Sequence, residues 1–209
     1  HPSDSSLIMA NKDKWKVEVE FIIPPKNDLN YRFLVPQNLE TEAVFTFDDD
    51  LIIKPRDIKK AFYQWKDNFD GKVAPITGFV QRDYAWNRIG EYEYICATKE
   101  HYSMILTGAC FLCKEFLELY NDCSRTEVKA IRSFVSEHFN GEDIGMNFLI
   151  ASFYPNHPPS WIRNPEYEED PEVNKAGLSY QQDHVWKRNK AINNFSKVFG
   201  RNCLIRVKI

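Results

Sequence analysis

Three consecutive carboxylates, Asp48-Asp49-Asp50, are the feature of this sequence most suited to chemistry. Their mutual repulsion is costly unless water or a cation screens it. A hard divalent ion, Mn²⁺ or Mg²⁺, typically takes one or two protein carboxylates and fills its other positions with phosphate oxygens and water. The plainer alternative is a solvated acidic turn at a helix start, where carboxylates favour the helix dipole. A second acidic pair, Glu142-Asp143, falls where a helix should begin. It could cap that helix, or bind a substrate hydroxyl and stabilise positive charge on a sugar carbon. His184 and Arg188 lie four residues apart and share one helix face. An arginine there could bridge a diphosphate bidentately or form half of a surface pair. Asn27 and Arg32 follow Pro24-Pro25-Lys26 and say nothing by themselves.

The elements that must position these residues read as alternating strands and helices, a layered α/β domain. Lys16–Phe21 alternates with period two, a strand exposed on one face. Ala43–Phe47 is continuously apolar, a strand covered on both faces, and it aims the acidic run at the edge of an open sheet where ligands bind. Pro55 opens a segment with Ile58, Ala61, Phe62 and Trp65 at helical spacing. Ile76–Val80 and Tyr92–Ala97 read as strands, with Arg82–Gly90 a polar turn between them. Ser124-Arg125-Thr126-Glu127 has capping-box spacing ahead of a helix carrying Val128, Ile131 and Val135. A second helical run starts near Glu142 with Ile144, Phe148 and Ala151. Tyr154–Asn174 has no period and reads as a loop over a site; Asp183–Phe199 is a last helix and Cys203–Lys208 a closing strand.

Composition narrows the class. The chain has 209 residues, 43% hydrophobic, with 15 Phe, 10 Tyr and 5 Trp, enough for one domain with a real core. A net charge of −3 gives no electrostatic footprint for nucleic acid. No run of 18 apolar residues could span a bilayer, and the first residues lack a signal-peptide pattern. Membrane attachment or targeting would have to come from outside this chain. The five cysteines are too few for a disulfide-built fold, and Cys110-Phe-Leu-Cys113 lacks a second pair to hold zinc, so both read as buried small hydrophobes. Asn194-Phe195-Ser196 fits the glycosylation triplet, although Phe195 reads as buried.

Several strings together resemble the exostosin and exostosin-like glycosyltransferases: Val44-Phe45-Thr46-Phe47-Asp48-Asp49-Asp50-Leu51 with the helix after it, and Gly78-Phe79-Val80-Gln81-Arg82, where Gln81 replaces a proline. Tyr102–Ala109, Glu142–Leu149, and Gly177-Leu178-Ser179 leading into His184-Val185-Trp186-Lys187-Arg188 complete the series. The resemblance implies a GT-A nucleotide-sugar fold with a mixed, mostly parallel central sheet flanked by helices. It implies Mn²⁺-dependent, retaining transfer of an N-acetylhexosamine, GlcNAc or GalNAc, from a UDP-sugar to a glycan or glycolipid acceptor. Carried over, Asp50 is the manganese ligand, Asp48 and Asp49 are donor residues with Asp49 near the ribose, and Asn27 and Arg32 hold the nucleotide sugar. Glu142 and His184 fall in the donor site, Asp143 at the catalytic centre and Arg188 beside the leaving diphosphate. A Golgi or endoplasmic reticulum setting follows from the same resemblance; a homo- or hetero-oligomer stays open.

Two departures accompany the matches. Relatives carry a disulfide between positions that here are Gly141 and Ala191. The family's additional strand and helix segment, part of the uridine pocket, is not found ahead of Lys16, so residues 1–209 read as a single transferase domain lacking that segment. The alternatives are another donor, such as a GDP-sugar, and a non-catalytic relative that binds nucleotide or glycan.

Overall fold

Residues 43–47, 77–78, 109–113 and 160–161 build the central sheet, and most of its apolar side chains come from 43–47 and 109–113. The computed structural model describes residues 19–20, 22–36, 38–96, 99–163, 165, 167–169 and 182–209. A 3₁₀ turn, Leu29–Phe33, precedes β1 (Ala43–Phe47), β2 (Leu51–Ile53) and α1 (Pro55–Asp67). Six strands follow: β3 (Thr77–Gly78), β4 (Gln81–Trp86), β5 (Tyr92–Ile95), β6 (His101–Tyr102), β7 (Met104–Ile105) and β8 (Ala109–Cys113). Helices α2 (Lys114–Asn121), α3 (Thr126–His138) and α4 (Glu142–Phe153) come next, then β9 (Ser160–Trp161), β10 (Tyr167–Glu169), α5 (His184–Val198) and β11 (Val207–Lys208).

The central sheet has the order β1-β8-β3-β9. β8 runs antiparallel to β1, with Ala43 opposite Cys113, and antiparallel to β3; β3 is parallel to β9. The sheet is therefore mixed, as expected, but not mostly parallel: among the described pairings only β3–β9 is. The cause is the path from β3 to β8, which runs through the antiparallel ribbon β5-β4-β7 rather than a crossover helix. Every residue of β8 is buried, whereas β1 lies at the sheet edge and leaves Phe47 48% exposed. The strand covered on both faces is thus β8, not Ala43–Phe47.

Other sequence expectations shift locally. A short strand, β2, separates the acidic turn from α1 and pairs with β10, so Tyr154–Asn174 is not one loop. Gln81–Trp86 is a strand rather than a turn, because backbone pairing in a solvated ribbon tolerates the charges that suggested a loop; the turn is Asn87–Gly90. Ser124 does not cap α3. Its N–H and hydroxyl both bond to Asp122 Oδ1, and α3 starts without a side-chain cap. The expected strand Lys16–Phe21 falls mostly outside the described residues, as do residues 170–174 and Gly177–Ser179.

Helix α4 is buried from Glu142 to Ala151 and touches α2, α3, α5 and β7. Phe148 meets Phe195 of α5 at 5.8 Å between ring centroids, and Phe134 of α3 meets Phe195 at 5.2 Å. These edge-to-face contacts, each ring burying roughly 150–250 Å², join three helices at Phe195.

The 3₁₀ turn is fixed to this helical layer by polar contacts. Asp28 Oδ1 accepts from the Asn30 N–H at 3.0 Å, and its Oδ2 accepts from Ser136 Oγ at 2.6 Å. Asn30 donates to the Arg132 carbonyl at 2.9 Å and accepts from the Tyr120 hydroxyl at 2.7 Å. Burial alone would raise the Asp28 pKa, but hydrogen bonds from Lys26, Ser136 and Asn30 outweigh it and hold it at about 2. The folded pKa is below the unfolded value of about 3.9, so the charged form stabilises the fold above about pH 4, and this stability is lost as pH falls towards 2. Asp28→Ala should destabilise the protein by about 2 kcal/mol at pH 7. Denaturant titrations should show the gap to wild type narrowing below about pH 4.

Candidate active site

The end of β1 and the 107–108 loop form the first wall of the site. Thr46 Oγ1 donates to the Thr107 carbonyl at 2.7 Å, and the Asp48 N–H donates to the Gly108 carbonyl at 2.7 Å. A Cβ on residue 108 would stand 2.5 Å from Asp48 Oδ2, so only glycine lets this carboxylate lie against the loop. Arg32 projects from the 3₁₀ turn to meet it. The guanidinium pairs with Asp48 Oδ1, reaches Glu142 Oε1 at 3.5 Å and donates to Thr107 Oγ1 at 3.3 Å.

The second wall is the N-terminus of α4. The link from α3 is tight, with Phe139 (φ 49°) and Gly141 (φ 87°) in left-handed backbone, which delivers Glu142 and Asp143 to the first turn of α4 where the helix dipole favours anions. Asp143 Oδ1 accepts from the Ile144 N–H at 2.7 Å while Oδ2 pairs with Arg188 Nη2. Asn140 Oδ1 lies 3.5 Å from Arg188 Nη1, and Asn140 Nδ2 lies 3.2 Å from His184 Nδ1. The Arg188 guanidinium stacks 4.4 Å from the Tyr94 ring centre. Asn147, one turn further along α4, clamps the helix to β7, accepting from the Ile105 N–H at 3.1 Å and donating to the Ile105 carbonyl at 2.8 Å.

Charge decides the state of these groups. Burial would raise the Asp143 pKa, but Arg188 outweighs burial and lowers it, so Asp143 is an anion. Burial, reinforced by the charge of Asp143, pushes the Glu142 carboxyl above the usual range. Burial and then the neighbours Asp50, Asp143 and Asp49 raise Asp48, against the pull of Arg32. Burial works against both arginines, yet Glu142 and Asp48 hold Arg32 charged and Asp143 holds Arg188 charged.

The structure thus brings Arg32, Asp48, Glu142, Asp143 and Arg188 into one cluster, with His184 joined through Asn140. Asp49 is exposed and Asp50 half-buried in the turn just beyond β1. Asn27 is exposed and takes part in none of the described pairings of this cluster. Among the described residues no three His, Cys, Asp or Glu side chains converge as a ready cation cage. Buried Arg188 Nε has no hydrogen-bond partner among the described residues. Cys110 and Cys113 are buried free thiols, as expected, and burial pushes both up to about 12. The two disulfide positions of the resembling family do face each other: a Cβ on Gly141 would lie 3.0 Å from Ala191 Cβ. Sequence reasoning missed Tyr94, Thr107, Gly108, Asn140 and Asn147 as site residues. Thr107-Gly108 lay within a matched string; Asn140 and Tyr94 had no local signal, because their importance is tertiary.

Removing one partner of a buried ion pair strands the other. Arg188→Ala should therefore destabilise the fold by about 3–5 kcal/mol, whereas the double variant Arg188→Met/Asp143→Leu should recover most of that loss. Denaturant unfolding of wild type and both variants measures it.

Comparison with known proteins points the same way as this geometry. The profile of the glycosyl transferase family 64 domain matches residues 1–209. The chain is 33% identical over 95% of its length to the Arabidopsis thaliana glycosylinositol phosphorylceramide mannosyl transferase 1, covering 58% of that protein. It is 34% identical over 92% of its length to the Caenorhabditis elegans exostosin-like-3 homolog and 31% identical over 90% to human exostosin-2, covering 23% and 25% of them. The chain accordingly spans little more than half of the plant relative and about a quarter of the two animal ones. With a full-length profile match and an Arg188–Asp143 centre in the strings that carry the likeness, the chain belongs to glycosyl transferase family 64.

Proposed function

We propose that this chain is the catalytic domain of a divalent-metal-dependent, retaining glycosyltransferase that moves an N-acetylhexosamine from a UDP-sugar to a glycan or glycolipid acceptor. The observation that carries the reading is the buried Arg188, held by Asp143 on one side while its Nε has no described partner. An arginine in that state is suited to an incoming anion, and a diphosphate oxygen is the anion this family would deliver. The acidic turn fits a Mn²⁺ or Mg²⁺ ion of the kind that leaves most positions to phosphate and water: Asp50 would hold it, and Asp48 and Asp49 would serve the donor, Asp49 near the ribose. When bound, that ion supplies positive charge opposite the diphosphate.

The chain's own groups do the rest. Arg188 donates hydrogen bonds to the leaving diphosphate as its negative charge grows. Asp143 faces the anomeric carbon as a fixed anion and stabilises its positive charge. Both Asp143 oxygens are already engaged, by Ile144 N–H and Arg188, which favours this electrostatic role over attack on the sugar and supports front-face transfer with retention. Arg32 and Asn27 hold the nucleotide sugar, and Arg32 keeps Asp48 aligned. The acceptor hydroxyl gives up its proton to the departing phosphate oxygen as the new glycosidic bond forms.

A second reading, a mannose donor such as a GDP-sugar, is favoured by the plant relative, whose name is that of a mannosyl transferase. Calorimetry and nucleotide-release assays separate the possibilities. Asp50→Ala should abolish metal-dependent UDP binding, while Asp143→Asn should spare binding and lower UDP release at least 100-fold. Loss of binding in both variants would show the roles to be wrongly divided, and GDP binding without UDP binding would select the second reading. Gly108→Ala, which presses a methyl into Asp48, should weaken the same metal-dependent binding about tenfold.

A further inference from the structure

The β4–β5 ribbon has no neighbouring strand on the outer side of β5 among the described residues. In the register with Asp83 opposite Ile95 and Tyr84 opposite Tyr94, the N–H and C=O groups of alternate β5 residues point away from β4. Helix α5 occupies that edge. Asn189 Oδ1 accepts from the Tyr94 N–H at 2.7 Å. Asn193 Oδ1 accepts from the Tyr92 N–H at 2.9 Å, and its Nδ2 donates to the Tyr92 carbonyl at 2.7 Å and to the Asn189 carbonyl at 2.9 Å.

The spacing explains why two asparagines four apart can do this. Four helical residues advance about 6 Å and two strand residues about 6.7 Å, so amides at i and i+4 of a helix meet alternate residues of a strand edge. The two side chains act as a substitute strand. They also set where α5 sits along β5, and a slip of one helical turn would move it by about 5.4 Å.

We infer that Asn189 and Asn193 are positioning residues for Arg188. Arg188 is the neighbour of Asn189, and its guanidinium lies over the ring of Tyr94, the residue whose N–H Asn189 holds. One residue on β5 therefore fixes the helix through its backbone and the arginine through its ring. The amide pair locks α5 in register, Tyr94 supports the flat face of the guanidinium, and Asp143 takes one edge, while the buried Nε has no partner among the described residues. Neither asparagine touches the reacting atoms. Their contribution is the placement of a group for which a misplacement of about 1 Å can lower a rate 100-fold. The inference rests on the reading of Arg188 as the leaving-group arginine.

The test uses Asn189→Leu, similar in size but without an acceptor, Asn189→Asp, which keeps the oxygen facing Tyr94 N–H, and Asn193→Leu. In ¹⁵N NMR spectra of the whole chain, Asn189→Leu and Asn193→Leu should speed hydrogen exchange at the Tyr94 and Tyr92 amides, respectively, and shift or broaden the Arg188 Nε–H resonance. Asn189→Asp should leave the Tyr94 exchange and the Arg188 resonance near wild type. In nucleotide release from a UDP-sugar with Mn²⁺, the Leu variants should lower kcat at least tenfold with donor KM within about twofold, and Asn189→Asp should recover most of it. An unmoved Arg188 resonance in Asn189→Leu overturns the positioning role whatever the rates are. A wild-type protein that releases no nucleotide, with the resonance shifts as described, instead overturns the transferase reading and leaves the placement of Arg188 standing.

Discussion

Crowded negative charge is the constraint on which the rest of this structure depends. Asp48 at the end of β1 and Glu142 and Asp143 at the start of α4 lie around Arg32, and Asp49 and Asp50 follow Asp48 in the chain. Glu142 and Asp143 are buried, where unscreened charge costs several kcal/mol. Two arginines from distant parts of the chain answer this, Arg32 from the 3₁₀ turn and Arg188 from α5. The attachments of those two elements make sense in this light. Asp28 and Asn30 tie the turn to α3, and Asn189 and Asn193 tie α5 to β5. These polar contacts hold in place the two elements that supply the cations.

That arrangement also explains which parts were legible in the sequence. Helices α1 and α5 are readable because burial imprints a period on their residues, Ala61 and Trp65 in one, Ile192 and Phe195 in the other; α4 is buried on every side from Glu142 to Ala151 and is marked instead by the acidic pair at its start. Strand direction was not readable, since a local pattern cannot tell whether the next strand returns beside its predecessor or crosses over. Strand β4 reads as a turn because Arg82, Asp83 and Arg88 are charged, whereas β5, which carries Tyr94 under the Arg188 guanidinium, reads as the strand it is. The Ser124–Glu127 box failed because Asp122 competed for Ser124. Of the site, Asp143 and Arg188 were identified by likeness and met in the fold. Asn140, Gly108 and the amide pair matter only through partners tens of residues away.

Family membership fixes less than it suggests. The relatives named above include a mannosyl transferase and exostosins, so one domain type serves proteins with different names and lengths. A reader of the sequence alone would rank the acidic triplet first. In the fold, the buried pair on α4 and α5 is the better defined half of the site, and the acidic turn is the more open half.

The proposed transfer has Asp143 as a fixed anion beside front-face attack rather than as an attacking group. The most direct measurement is proton NMR of the sugar product formed when the wild-type protein, with Mn²⁺ and a simple alcohol as acceptor, consumes an α-linked UDP-N-acetylhexosamine, followed by mass spectrometry of the intact chain. The account predicts an α-linked product and no mass increment on the peptide bearing Asp143. A β-linked product, or a hexosamine trapped on Asp143, would contradict it.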